Sequence, residues 1–421
     1  MGDVARLFAV RSGDTIRLRV LRGGAPTTVS LRIGDGATFR RNRRGRGSVG
    51  KRVTLCCASL LSPMPVVSVR GLVRSLLLAS LLVLAGCLPY SCQRNPNETL
   101  FSADSVSRRV ADTVPTDTLR PVGASTGTTD HPLTYPRTVR FVEGDVAVSD
   151  AERNSLFRFG PDGAFRREVT DAAFAVPYLI GHRADTLAVF NAGADRVDFV
   201  VGGRRLADRA VAYDRPTREA LVYMLATDTH LYAKVVGPEV GAHVSRLGPG
   251  GAVEARAELG GPHWRRAGFL RAWGDSLASL SGYRPVVHRL PRTFPDGARA
   301  DSLSLVGFDS PMLERSYAYA AGNATKPPLL TASAAAVGDA LFVLNLRPGW
   351  VQIDVYDRGG RLRRRLVEPH SVGNRGFYPL DLDARRVDEG YRFAVAVRSP
   401  EPRLELFRWR PAASASGPAA E

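Results

Sequence analysis

From about Tyr135 to about Pro411, apolar and polar residues alternate in short runs broken by Gly, Asp or Pro. In "TVRFVEGDVAVSDAERNSLFRFGPDGAFRREVT" the runs "TVRFVEG", "DVAVSDA", "SLFRFGP" and "AFRREVT" are each of strand length, and "PDG" supplies the last turn. Alternation at period two marks strands with one face turned to a core. A four-strand unit of roughly 35–45 residues has the size of a propeller blade. Its second strand recurs as "GDVAVS" (144–149), "ADTLAVF" (184–190), "TDTHLYAKV" (227–235), "GDSLASL" (274–280), "GDALFVL" (338–344) and "DEGYRFAVAV" (388–397). Each is followed by another strand, among them "SLFRF", "RVDFVV" and "VQIDVYD". Six such units predict an all-β chain, a six-bladed β-propeller of four-stranded antiparallel blades over 133–411, with a disordered tail at 412–421. Each blade buries its faces against its neighbours, so the fold rests on the repeat and not on one motif.

The unit "VAVSDAERNSLFRFGPDGAFRREV" resembles an NHL-type repeat, and "QIDVYDRGGRLRRRL" matches it next best. The resemblance implies the architecture and no activity. Asp145, Asp185, Asp228, Asp275 and Asp339 at the first turns are expected to accept backbone N–H bonds there. Arg361 and Arg363 to Arg365 are expected to form an Arg-rich outer edge that discourages pairing. Residues 294–333 are too long for a blade connection and are expected to be a functional or partly ordered excursion. The last unit has only three clear strands, so closure is expected to borrow one from near residues 115–140.

The most apolar stretch, "LLVLAGCLPYSC", lies upstream at Leu81 to Cys92. The uncharged run from Ser75 to about Tyr90 is short of the roughly 20 residues of a membrane-spanning helix. It has the length of a secretory signal core, preceded by Arg70 and Arg74. Leu84, Ala85, Gly86 and Cys87 resemble the lipobox of bacterial lipoproteins. The resemblance implies that Cys87 takes a diacylglyceryl group and becomes the acylated first residue. The competing reading is a membrane-anchoring helix with an incidental cysteine. Two or three acyl chains anchor a protein stably where one does not. Translation from Met64 would make residues 64–86 a lipoprotein signal peptide, so Met64 is expected to be the functional start. Residues 87–132, rich in Ser, Thr, Pro and Asp, then read as a lipidated flexible tether.

Before Met64, residues 1–35 read as a short helix and a hairpin formed by "GDTIRLRVLRGG" and "TTVSLRIG". This resembles the C-terminal half of a PDZ domain, without the half that forms the peptide groove. A piece of about 35 residues is too small for its core to sustain folding. The following "RRNRRGRGSVGKR" is expected to be disordered. Residues 1–63 are therefore read as an over-extended frame without a function of their own.

That division changes the meaning of the net charge of +17. Residues 1–86 carry fifteen Lys/Arg against three acids, a net +12, which leaves +5 for the remainder. The basic balance therefore does not point to a nucleic-acid partner. All four cysteines, Cys56, Cys57, Cys87 and Cys92, precede the propeller, which excludes a disulfide framework, a thiolate metal site or a Cys nucleophile within it.

Propeller chemistry gathers at a channel mouth, where the loops between second and third strands meet the blade-to-blade connections. Those loops hold Asp150, Arg153, Asn191, Asp195, Glu239, His243, Tyr283, Arg284, Asn345, Arg347 and Trp350, a mixed rim with aromatics and arginines that suits a ligand surface. The competing reading is that these are ordinary turn residues. The seven histidines show no short-spaced pair, and no cofactor is expected. Gluconolactonase-type propellers bind a divalent cation through a Glu, Asn and Asp set in the channel, which Glu239, Asn191 and Asn345 could imitate. No G-x-S-x-G elbow occurs between Tyr135 and Pro411. The chain thus resembles six-bladed propeller lipoproteins of bacteria. It is expected to be a lipid-anchored envelope module, in the outer membrane facing the periplasm or at the cell surface, binding a protein, peptide or carbohydrate. The alternative is an envelope hydrolase or lyase, lactonase-like and cation-dependent, at the same mouth. Three or more converging carboxylate, Asn or His groups would mark the enzyme; a broad aromatic-arginine rim would mark the binder.

Overall fold

The computed structural model describes residues 15–22, 25–32, 105–322, 326–347, 349–369 and 377–411. The chain divides into two units, 1–85 and 86–421, each described by itself. In the first, Thr15–Arg22 pairs antiparallel with Ala25–Arg32, the hairpin that the alternation of "TIRLRVLR" and "TTVSLR" predicts. The signal, the lipobox and Cys87 lie outside the described residues. No helix among the described residues is long and apolar enough to cross a membrane.

In the second unit six antiparallel sheets form a propeller ring. Blade 1 is built from Pro136–Val142, Asp145–Asp150, Ser155–Phe159 and Phe165–Thr170, from the channel outward. The innermost strands of blades 2 to 6 are Pro177–Arg183, Leu221–Ala226, Leu270–Trp273, Thr331–Val337 and Tyr378–Val387. Six hydrophobic clusters fill the six interfaces between neighbouring blades, such as Ala147 and Leu156 of blade 1 against Leu187 and Val189 of blade 2. Strands buried on both faces explain why their second members, "VAVSD" and "LFVLN", read as nearly continuous apolar runs.

Closure comes from upstream. Arg120–Ser125 pairs antiparallel with Arg403–Trp409 and completes blade 6. The expectation of a borrowed strand therefore holds, and with it residues 105–125 leave the reading of 87–132 as a flexible tether. Helix α1, Ser105–Thr113, sets Val110 in the core between blades 4 and 5, and Leu119 is fully buried. The Ser107 hydroxyl accepts the Gly307 N–H at 2.7 Å. Gly307, at φ +93°, must be glycine, because a Cβ would stand 2.7 Å from Val110 and 2.9 Å from Leu362. Burial of two or three apolar side chains fixes a segment whose polar composition alone indicates a linker.

Three local expectations change. The Arg-rich strand Leu362–Val367 is not a free edge: Thr116–Thr118 pairs with it in parallel, and Arg364 and Arg365 turn to Asp117 and Asp309. The stretch 294–333 is not one excursion, since it contains the fourth strand of blade 4, Asp301–Ser304, before helix α2, Leu313–Ala320. Among the described residues the first-turn aspartates do not cap N–H groups. Asp145 pairs with Arg166, Asp339 with Arg358, and Asp275 accepts the Ser276 hydroxyl.

Candidate functional site

Capping happens at the other end of the second strands. Asp150 closes its strand fully buried and accepts from Thr134 N (2.7 Å), Tyr135 N (2.8 Å), the Thr134 hydroxyl (2.9 Å), Arg153 N (3.0 Å) and Glu152 N (3.1 Å). At the matching place in blade 2 the Asn191 Oδ1 accepts the Ala175 N–H at 3.1 Å while its Nδ2 donates to Asp198. In blade 5 the Asn345 Nδ2 donates to the Asp309 carbonyl at 2.8 Å and to Asp354 at 2.9 Å. All three pin the incoming blade-to-blade connection to the turn beside it from inside the wall, and the buried Asn345 Oδ1 is left without a hydrogen-bond partner among the described residues. Arg347 is likewise buried, 2.7 Å from Asp309. His243 is buried, and burial followed by Arg256 pushes its imidazole pKa down. Arg153 grips Glu168 at 3.0 and 2.9 Å, and Asp195 pairs with Arg215. Glu239 is exposed, and Arg284 and Trp350 are half-buried. Glu239, Asn191 and Asn345 thus do not converge, and no group of three His, Cys, Asp or Glu placed to hold a metal occurs among the described residues.

Of the expected rim, Tyr283 joins a different constellation, built by the first residues of the inner strands. These strands share one direction around the channel, so their first residues meet at one mouth. Tyr135 precedes the inner strand of blade 1 and Arg137 is its second residue; Tyr178, Tyr223 and Tyr378 are the second, third and first residues of those of blades 2, 3 and 6, and Phe269 directly precedes that of blade 4. Arg137 donates to the Tyr135 hydroxyl and to the Tyr178 hydroxyl, each at 2.9 Å. Its guanidinium also lies 5.2 and 5.1 Å from the two ring centres. Arg398 stands 4.5 Å from the Tyr135 ring. Tyr223 packs edge-on against Phe269 at 5.8 Å. Helix α2 adds a side wall: the Ser316 hydroxyl donates to the Tyr283 carbonyl at 3.1 Å, and Tyr319 meets Trp264 edge-on at 4.6 Å.

Burial raises the pKa of Tyr223, with the Tyr283 and Tyr178 phenols adding to it. Burial also raises Tyr283, then Tyr378 and Tyr319, and raises Tyr378, then Tyr135. These hydroxyls therefore stay protonated at neutral pH and can donate. All of the aromatics named here are partly exposed. The sequence signal for them is an aromatic at the opening of five of the six inner strands, in "TYPRTV", "VPYLIG", "LVYMLA", "GFLRAW" and "GFYPLD", with none in blade 5. These positions lie outside the loops between second and third strands.

Below the mouth the channel is crossed by a buried ion network. Asp381 of blade 6 accepts from Arg140 of blade 1 at 2.7 Å, Arg271 of blade 4 at 2.6 Å, Ser333 of blade 5 at 2.5 Å and Val139 N at 3.0 Å. Burial alone would raise the Asp381 pKa, but the Arg140 and Arg271 charges outweigh it and hold the carboxyl below its usual range. Arg271 is lowered to about 10 by burial and by Arg140, and stays charged at neutral pH. At the end away from the mouth, a groove of about 600 Å³ between blades 2 and 3 is lined by turn residues including His182, Asp228, His230 and Glu254.

No family model and no curated protein matches this chain. Among solved structures it is similar to virginiamycin B lyase from Staphylococcus aureus, with 9% identity and TM-score 0.44 over 68% of this chain and 98% of that one. It is similar to a calcium-binding protein, regucalcin, from Agrobacterium tumefaciens, with 11% identity and TM-score 0.45 over 71% and 96%. Glutaminyl cyclase from Myxococcus xanthus gives 10% identity and TM-score 0.38 over 71% and 100%. At such identities these likenesses assign no activity to this chain.

Proposed function

We propose that the protein is a ligand-binding propeller of the bacterial cell envelope, attached to the membrane through a lipid on Cys87, and that it binds at the aromatic mouth. The observation that carries this reading is the ring of Tyr135, Tyr178, Tyr223 and Tyr378 gathered around Arg137. Rigid aromatic faces supply contact area at low entropy cost, and protonated phenols fix orientation by donating. The competing enzyme reading calls for converging carboxylate, Asn or His groups, and the polar groups nearest in kind, Asp150, Asn191 and Asn345, are bonded within the blade walls.

The test uses the full chain in detergent against arrays of oligosaccharides and short peptides. Specific binding that Tyr178→Ala with Tyr378→Ala reduces at least tenfold supports the reading. Binding indifferent to those substitutions, or a stoichiometric metal found by elemental analysis, sinks it. The anchor is tested separately: Cys87→Ser is expected to move the protein from the membrane to the soluble fraction, and unchanged sedimentation would overturn lipidation.

A further inference from the structure

Most arginines that flank the loops of the propeller are matched by a carboxylate: Arg153 by Glu168, Arg196 by Asp198, Arg215 by Asp195, Arg246 by Glu254 and Arg403 by Glu405. Around the aromatic cluster of the mouth this pattern stops. Arg137, Arg265, Arg266, Arg284 and Arg398 make no ion pair among the described residues. Arg137 is held by two phenol hydroxyls. Arg265 lies 5.2 Å from the Trp264 ring centre, and its shielded Nε has no hydrogen-bond partner. Arg266 donates to the Gly260 carbonyl at 2.7 Å and turns its other end onto the His288 ring. Behind them Lys234 is fully buried and donates to the carbonyls of Gly268 (2.7 Å) and Leu280 (2.8 Å).

The charges on the blade 4 side press on one another. Burial lowers the Arg266 pKa, and Arg265 and Arg284 lower it further, with no carboxylate opposing them. His288 is pushed down to about 4 by burial, Arg266 and Lys234, so it is a neutral acceptor for Arg266 and adds no charge. Like charges gathered in a partly dry site are unfavourable without a counter-ion, and guanidinium forks match oxyanions in geometry.

We infer that the ligand of the mouth carries an oxyanion, a carboxylate or a phosphate, received by Arg137 at the channel axis or by Arg265 and Arg284 at the blade 4 rim, with its uncharged body against Tyr178, Tyr223 and Trp264. This rests on the mouth being the binding site and adds the chemical class of what it takes.

The experiment is calorimetric titration of the full chain in detergent with a uronate trisaccharide, a sugar phosphate, inorganic phosphate and the matching neutral trisaccharide. One or both charged sugars are expected to bind at least tenfold more tightly than the neutral one, and to weaken several-fold from about 20 to about 200 mM salt. Which of them binds separates carboxylate from phosphate, and inorganic phosphate shows whether the anion alone suffices. Arg137→Gln, and Arg265→Gln with Arg284→Gln, are each expected to weaken binding about tenfold, the loss of a charge-assisted bond. Arg386→Gln, exposed at the far end of the blade 6 inner strand, serves as the control. Equal binding of the neutral sugar, lost in Tyr178→Ala, overturns the anion while the mouth stands. Charged-sugar binding that survives both the arginine and the tyrosine substitutions overturns both. Failure of every anionic probe to bind at millimolar concentration overturns the anion.

Discussion

Arg137 and Arg140 belong to the same inner strand, yet their circumstances are opposite. Arg140 is buried in the channel and shares the Asp381 carboxylate with Arg271, one oxygen to each guanidinium. Arg137, nearer the mouth, meets only two phenols. The difference separates a charge used to hold blades together from a charge left available. Asp381 joins blades 1, 4 and 5 to blade 6 across the channel, and removing it would strand two buried cations. Nothing at the mouth depends on Arg137 to that degree.

The comparison can be broken most forcefully at Asp381. Asp381→Ala is expected to destabilise the propeller by about 3–5 kcal/mol in denaturant titration, because it leaves Arg140 and Arg271 buried without the carboxylate that bonds them both, with only the more distant pull of Asp383. A loss below about 1 kcal/mol would show that the network is not a brace. Arg137→Met should behave in the reverse sense. Its stability cost should stay within about 1.5–3 kcal/mol, because its charge-assisted bonds go to phenols that are partly exposed and can turn to water, while ligand affinity falls about tenfold; equal damage to folding would erase the contrast.

Acid sharpens the same distinction. His288 is held near 4 against an ordinary 6.5, so its neutral form contributes stability that is complete above pH 6.5 and lost as pH falls toward about 4. Burial resists ionisation of Glu168, but Arg153, Ser155 and His131 overcome it and lower its pKa to about 2. Its contribution is therefore present above its ordinary 4.5 and lost below that, toward about 2. Denaturation midpoints measured across pH should fall in these two windows. His288→Leu should flatten the upper one in part, leaving the share of His243, whose pKa is also lowered. The smallest effect is expected at Asp339, whose side chain is 87% exposed although it pairs with Arg358. Asp339→Asn should leave the melting midpoint unchanged within error, because an exposed ion pair contributes little.

Much of the blade order was readable from one strand to the next. The recurrence of "GDVAVS", "ADTLAVF" and "GDALFVL" reports a period that local alternation imposes, since each strand must turn alternate residues to a neighbouring blade. The three-stranded last unit announced its missing partner, found in Arg120–Ser125. Helix α1 was not readable, because "SVSRRVADT" has a polar composition and becomes ordered through Val110 and Ala111 in a pocket made by blades far along the chain. Likewise the loop residues Asp150, Asn191 and Asn345 were visible as polar residues at equivalent places. Whether such a residue faces the channel or braces the wall depends on the connection packed over it.

The sequence by itself therefore determined the six blades, their four-strand make-up and the need for a closing strand, all consequences of patterns a few residues long. Tertiary structure decided which charges are matched. Arg271 finds Asp381 across 110 positions, and Arg137 finds Tyr178 across 41, only when the ring closes. The physical reason is that apolar alternation acts within a strand and between neighbours, whereas the electrostatics of a channel are set by every blade at once.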